Sequence, residues 1–239
     1  MPNPTAAMLV IGDEILSGRT RDSNMHHLAG CLTERGIDLV QARVVGDVHA
    51  TIVAAVRELS GAVDHLFTSG GIGPTHDDIT ADAVAEAMGA RIDVRPDARA
   101  VLEAHYASRD TELNAARLRM ARIPDGATLI DNPVSAAPGF TLGNVHVMAG
   151  VPSIFEAMLA GLLPTLAGGA PLRSRALTVA RGEGDIAAAL SEIAAAHPEI
   201  GVGSYPASGR VQILLRSADP EALGAAMEKL RAAFPEGVE

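Results

Sequence analysis

The stretch SGGIGPTHDDIT, residues 69–80, joins a short apolar segment, 64–68, to an amphipathic segment over 79–88. Their periodicities predict a strand for the first segment and a helix for the second. Three glycines in the loop between them allow tight turns and let backbone N–H groups approach a ligand without an intervening Cβ. A strand that ends in such a loop before a helix is typical of an open α/β sheet, which binds ligands at the carboxyl ends of its strands.

The same loop combines an anion site with carboxylates. The backbone N–H groups of Gly70, Gly71 and Gly73, together with the N-terminus of the following helix, favour a bound anion such as a phosphate. Asp77 and Asp78 place negative charge beside it, and a hard divalent cation such as Mg²⁺ would relieve their repulsion from a phosphate. The alternative is an ordinary loop in which Asp77 or Asp78 caps the next helix.

On either side of this loop, apolar strand-like segments alternate with amphipathic helical ones. Strands are predicted over 6–11, 37–45 and 64–68, and helices over 22–35, 50–60 and 79–88. This order is the signature of a parallel sheet with right-handed crossovers. Further along, we predict two helices within 96–122, strands at 128–130 and 145–149, and a helix over 153–166.

The composition changes at AGGAP, residues 167–171, which we interpret as a linker between two domains, 1–168 and 172–239. Beyond the linker, strands are predicted over 175–179, 201–205 and 211–216, and helices over 184–196 and 220–234. This βαββα order predicts a small α+β module.

The composition restricts both the core and the partners. Hydrophobic residues make up 48% of the chain but aromatic residues only 3%, so the core must consist largely of aliphatic side chains. Such a core suits helices that cover a parallel sheet better than it suits a jelly roll or an immunoglobulin-like sandwich. The net charge is -10, with a single lysine, Lys229, and scattered arginines, which argues against capture of nucleic acid.

Cysteine content and hydropathy predict the cellular compartment. Cys31 is the only cysteine, so neither an intrachain disulfide nor a cysteine zinc cluster can form, and we expect it to be a buried apolar residue. The first residues lack the basic start and long apolar stretch of a signal peptide. No apolar run approaches the roughly 18 residues that a membrane span requires. We therefore expect a soluble cytoplasmic protein without a membrane partner.

A second turn that follows a predicted strand is GDEILSG, residues 12–18. It brings Asp13 and Glu14 to the carboxyl end of the first strand, and Asn24 follows at the start of the next helix. Alternatively, it is a solvated turn in which Asp22 or Ser23 caps that helix.

Two further turns rich in small residues lie next to predicted strands, NPVSAAPG at 132–139 and GVPS at 150–153. A flat ligand can approach such turns closely, although most turns of this kind only redirect the chain.

Few histidines are expected to act as ligands. His26 and His27 lie in a predicted helix and His65 in a predicted strand, and none has a partner at metal-ligand spacing. His76 lies inside the glycine loop and remains a candidate. The chain contains neither the G-x-S-x-G motif of a serine hydrolase nor a P-loop.

Taken in order, GDEILSG, VGDV around Asp47, SGGIGPTHDDIT, NPVSAAPG and GVPSIFEAM resemble the N-terminal domain of the CinA (competence/damage-inducible) family, within the MoaB/MogA-like molybdopterin-binding superfamily. The resemblance covers about residues 6–165. It implies a three-layer α/β/α sandwich with a mostly parallel sheet and with the ligand over the glycine loop. Members of this superfamily commonly form dimers or trimers, so we expect a homo-oligomer.

The C-terminal part, including GSYP at 203–206, resembles the small KH-like module that follows in CinA proteins. It contains no G-x-x-G loop flanked by basic residues, so we do not expect it to bind RNA. Because the sequence ends at 239, we expect the amidase domain that often completes these proteins to be absent.

The resemblance also implies a chemistry, the hydrolysis of nucleotide pyrophosphates such as ADP-ribose or FAD-like dinucleotides with the help of Mg²⁺, Mn²⁺ or Co²⁺. Asp78, Asp77 and Glu14 are then the candidate catalytic residues, and Asp78, Asp77 and Asp13 the candidate metal ligands. The candidate contacts to the phosphate-bearing ligand, a nucleotide diphosphate or a pterin, are Gly12, Asp13, Ser17, Asn24, Ser69, Gly70, Gly71, Gly73, Thr75, Asn132 and Gly150. The alternative is a non-catalytic module that holds a pterin or a nucleotide for another protein.

Overall fold

The computed structural model describes residues 2–238, which form two compact units; the first ends at Gly169 and the second begins at Ala170. The strands of the first unit are β1 (Thr5–Ile11), β2 (Asp38–Val45), β3 (His65–Ser69), β4 (Ile92–Val94), β5 (Arg122–Pro124), β6 (Thr128–Ile130), β7 (Gly139–Leu142) and β8 (Val145–Met148). Its helices are α1 (Asp13–Leu16), α2 (Asn24–Arg35), α3 (His49–Ser60), α4 (Thr80–Met88), α5 (Pro96–Ala107), α6 (Ala115–Leu118) and α7 (Pro152–Leu162).

One six-stranded sheet forms the middle layer of this unit, in the order β2-β1-β3-β8-β7-β6. Strands β2, β1, β3 and β8 run parallel, and β7 and β6 are antiparallel to their neighbours. Successive side chains of a strand point to opposite faces, so Leu9 and Ile11 of β1 pack with α3, α4 and α5, whereas Met8 and Val10 pack with α2 and α7. The predicted three-layer α/β/α sandwich with a mostly parallel sheet is therefore confirmed.

Residues 96–122 differ in part from the prediction. The first helix, α5, forms as expected, but the second is reduced to the single turn α6 and a 3-10 turn, Arg119–Ala121. The chain then extends into β5, which pairs with β4, a strand that was not predicted. Ile123 and Pro124 of β5 are both buried.

Cys31 is half-buried, which corrects the expectation of a fully buried residue. Its Sγ lies 3.5 Å from Nε2 of His27, one turn earlier in α2. Burial raises the pKa of the Cys31 thiol, and the nearby carboxylates of Glu34 and Glu156 raise it further. The thiol is therefore protonated at neutral pH and a weak nucleophile.

The second unit has the βαββα order predicted for it: β9 (Arg173–Val179), α8 (Glu183–Ala196), β10 (Gly201–Ala207), β11 (Arg210–Ser217) and α9 (Pro220–Ala233). Its antiparallel sheet has the order β10-β11-β9. One face of the sheet, with Leu177 and Ile213, packs against Ile186 of α8 and Met227 of α9. Within residues 2–238, no helix has the length and hydropathy needed to cross a membrane.

His146 of β8 is a buried titratable group in the core of the first unit, only 2% exposed. Its ring packs 4.9 Å from the ring of Phe67. Burial, and secondarily the neighbouring His65, lowers the pKa of His146 to about 4 from an ordinary value of 6.5. The folded protein therefore holds this imidazole in its neutral form throughout the physiological pH range.

This lowered pKa predicts a loss of stability in acid that depends on His146. Below pH 6.5 the unfolded chain binds a proton at this residue and the folded chain does not, so stability is complete above that pH and falls until the pH reaches about 4. The difference between 6.5 and about 4 corresponds to about 3 kcal/mol. Urea unfolding between pH 7.5 and 4 should show this loss in the wild type and a smaller loss in His146→Gln. An equal loss in both proteins would contradict the prediction, and His26→Gln, on the exposed side of α2, is the control.

Candidate functional site

The carboxyl end of β1 carries the first group of acidic side chains. The N–H of Gly12 donates to the carbonyl oxygen of Val45 at 3.0 Å, which joins the ends of β1 and β2. Glu14 folds back over Gly12, where a Cβ would lie 2.6 Å from both carboxylate oxygens. Asp13 lies against Gly46 at the end of β2, where a Cβ would collide with its carboxylate. Both glycines thus make room for carboxylates at this edge.

The carboxyl end of β3 forms a turn that requires glycine. Gly70 has φ 110°, and a Cβ at this position would collide with the carbonyl oxygen of Ile11 in β1. Gly71 has φ 67°, and a Cβ there would collide with the hydroxyl of Thr80, the first residue of α4. The backbone of the turn therefore packs directly against the last residue of β1 and the first residue of α4, with no side chain between them.

Asp78 closes the loop after this turn. Its Oδ2 accepts hydrogen bonds from the backbone N–H of Thr75 at 2.8 Å and from the Thr75 hydroxyl at 2.6 Å. The same carboxylate lies against Gly73, where a Cβ would be 2.6 Å from Oδ2. No side-chain hydrogen bond caps α4, so the alternative in which Asp77 or Asp78 acts as the N-cap is wrong.

Asp47, which follows β2, is a part of the acidic site that the sequence-based candidates did not include. Its Oδ2 accepts the backbone N–H of Asp13 at 2.9 Å. The pKa of Asp47 is raised, first by burial and then by the charges of Asp13, Glu14 and Asp77, although the hydrogen bond from Asp13 opposes the shift. The carboxylates of Asp13, Glu14 and Asp77 therefore lie near enough to Asp47 to raise its pKa.

Asn24 and Ser69 lie buried behind the turns of the site and are hydrogen-bonded to each other. Asn24 is 3% exposed, and its Nδ2 donates to Oγ of Ser69 at 2.7 Å and to the carbonyl oxygen of Gly150 at 2.8 Å. Asn24 thereby ties the turn after β3 to the turn after β8. Asp22, rather than Ser23, provides the side-chain cap of α2, because its Oδ2 accepts the N–H of Met25.

Asn132 organises its own turn. Its Nδ2 donates to Oγ of Ser135 and to the carbonyl oxygen of Ala137, both at 2.8 Å, and its Oδ1 accepts the N–H groups of Val134 and Ser135. The side chain is 3% exposed and fully hydrogen-bonded. It therefore shapes a wall of the site and has no free donor for a ligand.

These turns enclose a cavity of about 530 Å³. Its acidic lining is formed by Glu14, Asp47, Asp77 and Asp78, and its glycine lining by Gly12, Gly70, Gly71, Gly73 and Gly150. The remaining wall is largely apolar and includes Ile72, Met120, Val151 and Ile154. A cavity with one polar end and one apolar wall suits a flat heterocycle that carries a charged group.

The structure brings most of the candidate residues to this edge. Asp13 and Ser17 line an adjoining cavity together with Arg19 and His76, and Glu14, Asp47 and Asp77 border both spaces. Asn24 and Ser69 lie buried behind the turns. Thr75 lines neither space and is bonded to Asp78.

Asp47 was missed because a lone aspartate after a strand is common. Its signal is the VGDV sequence at the end of β2, which is parallel to β1 and therefore ends at the same edge. The contact with Asp13 requires the two strands to be neighbours, and strand order is not readable from spacing.

We expect Asp47→Asn to stabilise the protein at neutral pH. Because its pKa is raised in the folded state, Asp47 destabilises the fold when it is ionised. The stabilising contribution of the protonated carboxyl is complete in acid and is lost as the pH rises through the folded-state pKa. The amide removes the repulsion and still accepts the N–H of Asp13. Urea midpoints at pH 7.5 and 4.5 should show a larger gain at pH 7.5, whereas a variant less stable than the wild type at pH 7.5 would contradict this account.

Among residues 2–238, no three His, Cys, Asp or Glu side chains are arranged as a ready-made metal site. The acidic group nevertheless fits a hard cation that takes the rest of its ligands from phosphate oxygens and water. Mg²⁺ is usually held in this way, by one or two carboxylates together with substrate phosphates. The charges of Asp13, Glu14 and Asp77 add, after burial, to the raised pKa of Asp47, and a cation here would relieve that part of the shift.

The fold and this edge define a class, an α/β domain that binds small molecules at the carboxyl ends of parallel strands. Residues 7–168 match the family described as "Probable molybdopterin binding domain", and residues 171–239 match "FAD synthase, middle domain". The chain belongs to the molybdopterin-binding-domain family and, within it, to the CinA-like proteins.

Individual relatives give the extent of the similarity. A Thermoplasma acidophilum structure described as "the protein CinA with unknown function" is 34% identical, with a TM-score of 0.63 over 67% of this chain and 98% of that one. A protein of Pyrobaculum calidifontis is 38% identical over 85% of this chain and 81% of its own length. A "CinA-like protein" of Desulfosudis oleivorans is 39% identical over 73% of this chain, but the match covers only 45% of that protein.

Proposed function

We propose that this chain is a divalent-cation-dependent pyrophosphatase that hydrolyses dinucleotides of the ADP-ribose or FAD type. The observation that carries the proposal is the cavity in which a glycine turn faces an acidic group of Glu14, Asp47 and Asp77. Backbone amides attract phosphate, whereas carboxylates repel it. A cation bound between the carboxylates and the phosphate would neutralise their repulsion, and it would also stabilise the charge that develops in phosphoryl transfer.

The residues of the chain would divide the work as follows. The amides of Gly71 to Gly73 would hold one phosphate of the ligand, because the N–H of Gly70 already donates to the carbonyl oxygen of Met148. The apolar wall with Met120 and Ile154 would take the heterocycle. Asp78, with Asp77, Asp13 and the newly found Asp47, would hold the cation, which supplies charge neutralisation at the diphosphate. Glu14 or Asp13 accepts a proton from the attacking water.

In the reaction, the water oxygen bonds to one phosphorus, and the bond between that phosphorus and the bridging oxygen breaks. ADP-ribose would give AMP and ribose 5-phosphate. The descriptions of the matched families, a molybdopterin-binding domain and part of a FAD synthase, support a ligand with a heterocycle and phosphate.

The alternative is a binding module without turnover, and one contact favours it. Both hydrogen bonds of Thr75 go to Oδ2 of Asp78, so this carboxylate already has a structural task in closing the loop. In a module that only binds its ligand, closing the loop would be the whole role of Asp78.

The test is a product-release assay with the purified chain and ADP-ribose, FAD or NAD, each with Mg²⁺, Mn²⁺, Co²⁺ or a chelator. The pyrophosphatase predicts AMP release that requires a cation and stops on chelation. Binding of the same ligands measured by calorimetry, with no product from any pair, would contradict turnover and support the module. Self-association stays a prediction, which light scattering on the same sample tests.

A further inference from the structure

A row of polar side chains crosses the main sheet at the edge opposite the candidate site. His146 of β8 pairs with Thr141 of β7, and Thr141 pairs with Thr128 of β6. His65, at the start of β3, extends the row. Elsewhere the same face is apolar and packs against α2 and α7. Polar groups placed side by side on such a face call for an explanation, because burying them costs free energy unless they find partners.

The row forms a chain of hydrogen bonds. Oγ1 of Thr141 lies 3.0 Å from Nδ1 of His146, and Nε2 of His146 lies 3.1 Å from Nδ1 of His65. Each neutral ring has one donor and one acceptor nitrogen, so the chain is satisfied without any charge. Nε2 of His65 and the hydroxyl of Thr128 have no partner among residues 2–238. Both groups are available to a ligand.

The row lines a cavity of about 670 Å³. The end of α7, with Gly161 and Leu162, and the following Leu166 provide its apolar side. Asp64 and Asp131 also line it, and its lining contains no Lys or Arg. The oxygen Oδ2 of Asp64 already accepts two hydrogen bonds from Thr5, whereas the exposed Asp131 has no partner among the described residues.

We propose that this cavity is a second binding site, for a small organic cation with an apolar body. The leucines receive the body, the unused His65 nitrogen and Thr128 hydroxyl offer hydrogen bonds, and the Asp131 carboxylate attracts the charge. An anion is disfavoured here, because two carboxylates line the space and no basic side chain does. The site is independent of the proposed pyrophosphatase, since it lies where β3 begins and the glycine turn lies where β3 ends.

The test uses two probes with the same indole body and opposite charge, tryptamine and indole-3-acetate. The chain contains no Trp and two Tyr, so the indole fluorescence of either probe can be followed by excitation at a wavelength that tyrosine does not absorb. Fluorescence anisotropy at pH 7.5 is expected to saturate with one tryptamine per chain and to show no saturable binding of indole-3-acetate. Asp131→Asn is expected to weaken tryptamine binding, because it removes the one unpaired carboxylate.

Gly161→Leu locates the bound probe. A Cβ at Gly161 meets nothing within 4 Å, so a helical leucine fits there and fills the cavity without removing a polar group. Tryptamine binding should weaken at least about tenfold. Gly30→Leu is the matched control, because Gly30 is also a helical glycine with open space around its Cβ. Equal binding of both probes, no saturable binding, or unchanged tryptamine binding to Gly161→Leu would each overturn the proposal.

Discussion

Asp78→Asn is expected to reduce cation-dependent AMP release from ADP-ribose at least about a hundredfold, with the fold unchanged. The amide keeps the shape of the carboxylate, and its oxygen still accepts the N–H and the hydroxyl of Thr75 that close the loop. What is lost is the charge that would hold a cation beside the diphosphate. Initial rates over a range of Mn²⁺ concentrations measure the effect.

The control for this substitution is Asp125→Asn. Asp125 is exposed and pairs with Arg91 on the surface, so its loss should leave the rate of AMP release as it is. A normal urea midpoint for Asp78→Asn would show that loss of activity is not loss of fold. Unchanged turnover in Asp78→Asn would remove this residue from the mechanism and leave it as a loop-closing side chain.

Gly70→Ala is expected to lower the free energy of unfolding by about 3 kcal/mol or more. Gly70 has φ 110°, a conformation that L-residues rarely adopt, and its Cβ would collide with the carbonyl oxygen of Ile11. This oxygen belongs to the central strand β1 and cannot move without disturbing the sheet. Because the turn leads into the proposed phosphate site, ligand affinity should fall with stability. Urea unfolding and calorimetric titration measure the two effects.

Gly89→Ala separates the two causes of this loss. Gly89 ends α4 with φ 70°, but a Cβ there has open space. Its substitution should cost only the left-handed backbone conformation, about 1 kcal/mol. If Gly70→Ala cost no more than Gly89→Ala, the close approach to Ile11 would be irrelevant to stability.

The local pattern was sufficient for most elements of the fold. Strands and helices from 6 to 88 form within a few residues of their predicted bounds, because hydrophobic period and glycine terminators act locally. β4 and β7, of three and four residues, were not predicted, whereas the equally short β6 and β8 were. Of the two helices predicted within 96–122, the second is reduced to α6 and a 3-10 turn, and the chain then enters β5, which pairs with β4.

Some residues of the candidate site were likewise predictable from the sequence, whereas others depended on the tertiary structure. Asp13, Glu14, Asp77 and Asp78 were predictable, because each follows a strand whose carboxyl end is recognisable from the sequence. Asp47 lies in the same kind of position, but its significance depends on its hydrogen bond to Asp13 across two strands. The reverse applies to Asn132, a predicted ligand contact whose side chain is hydrogen-bonded within its own turn.

The sequence by itself determined the α/β class, the glycine turn after β3 and the acidic residues beside it, because these depend on neighbours within a few positions. Only the tertiary structure decided which strand ends meet, and hence that Asp47 joins Asp13 and Glu14 and that Asn24 ties Ser69 to Gly150. It likewise decided that His65, His146 and Thr141 form one chain. Such contacts join residues far apart in sequence through strand order and register, which result from packing the whole sheet and not from any local pattern.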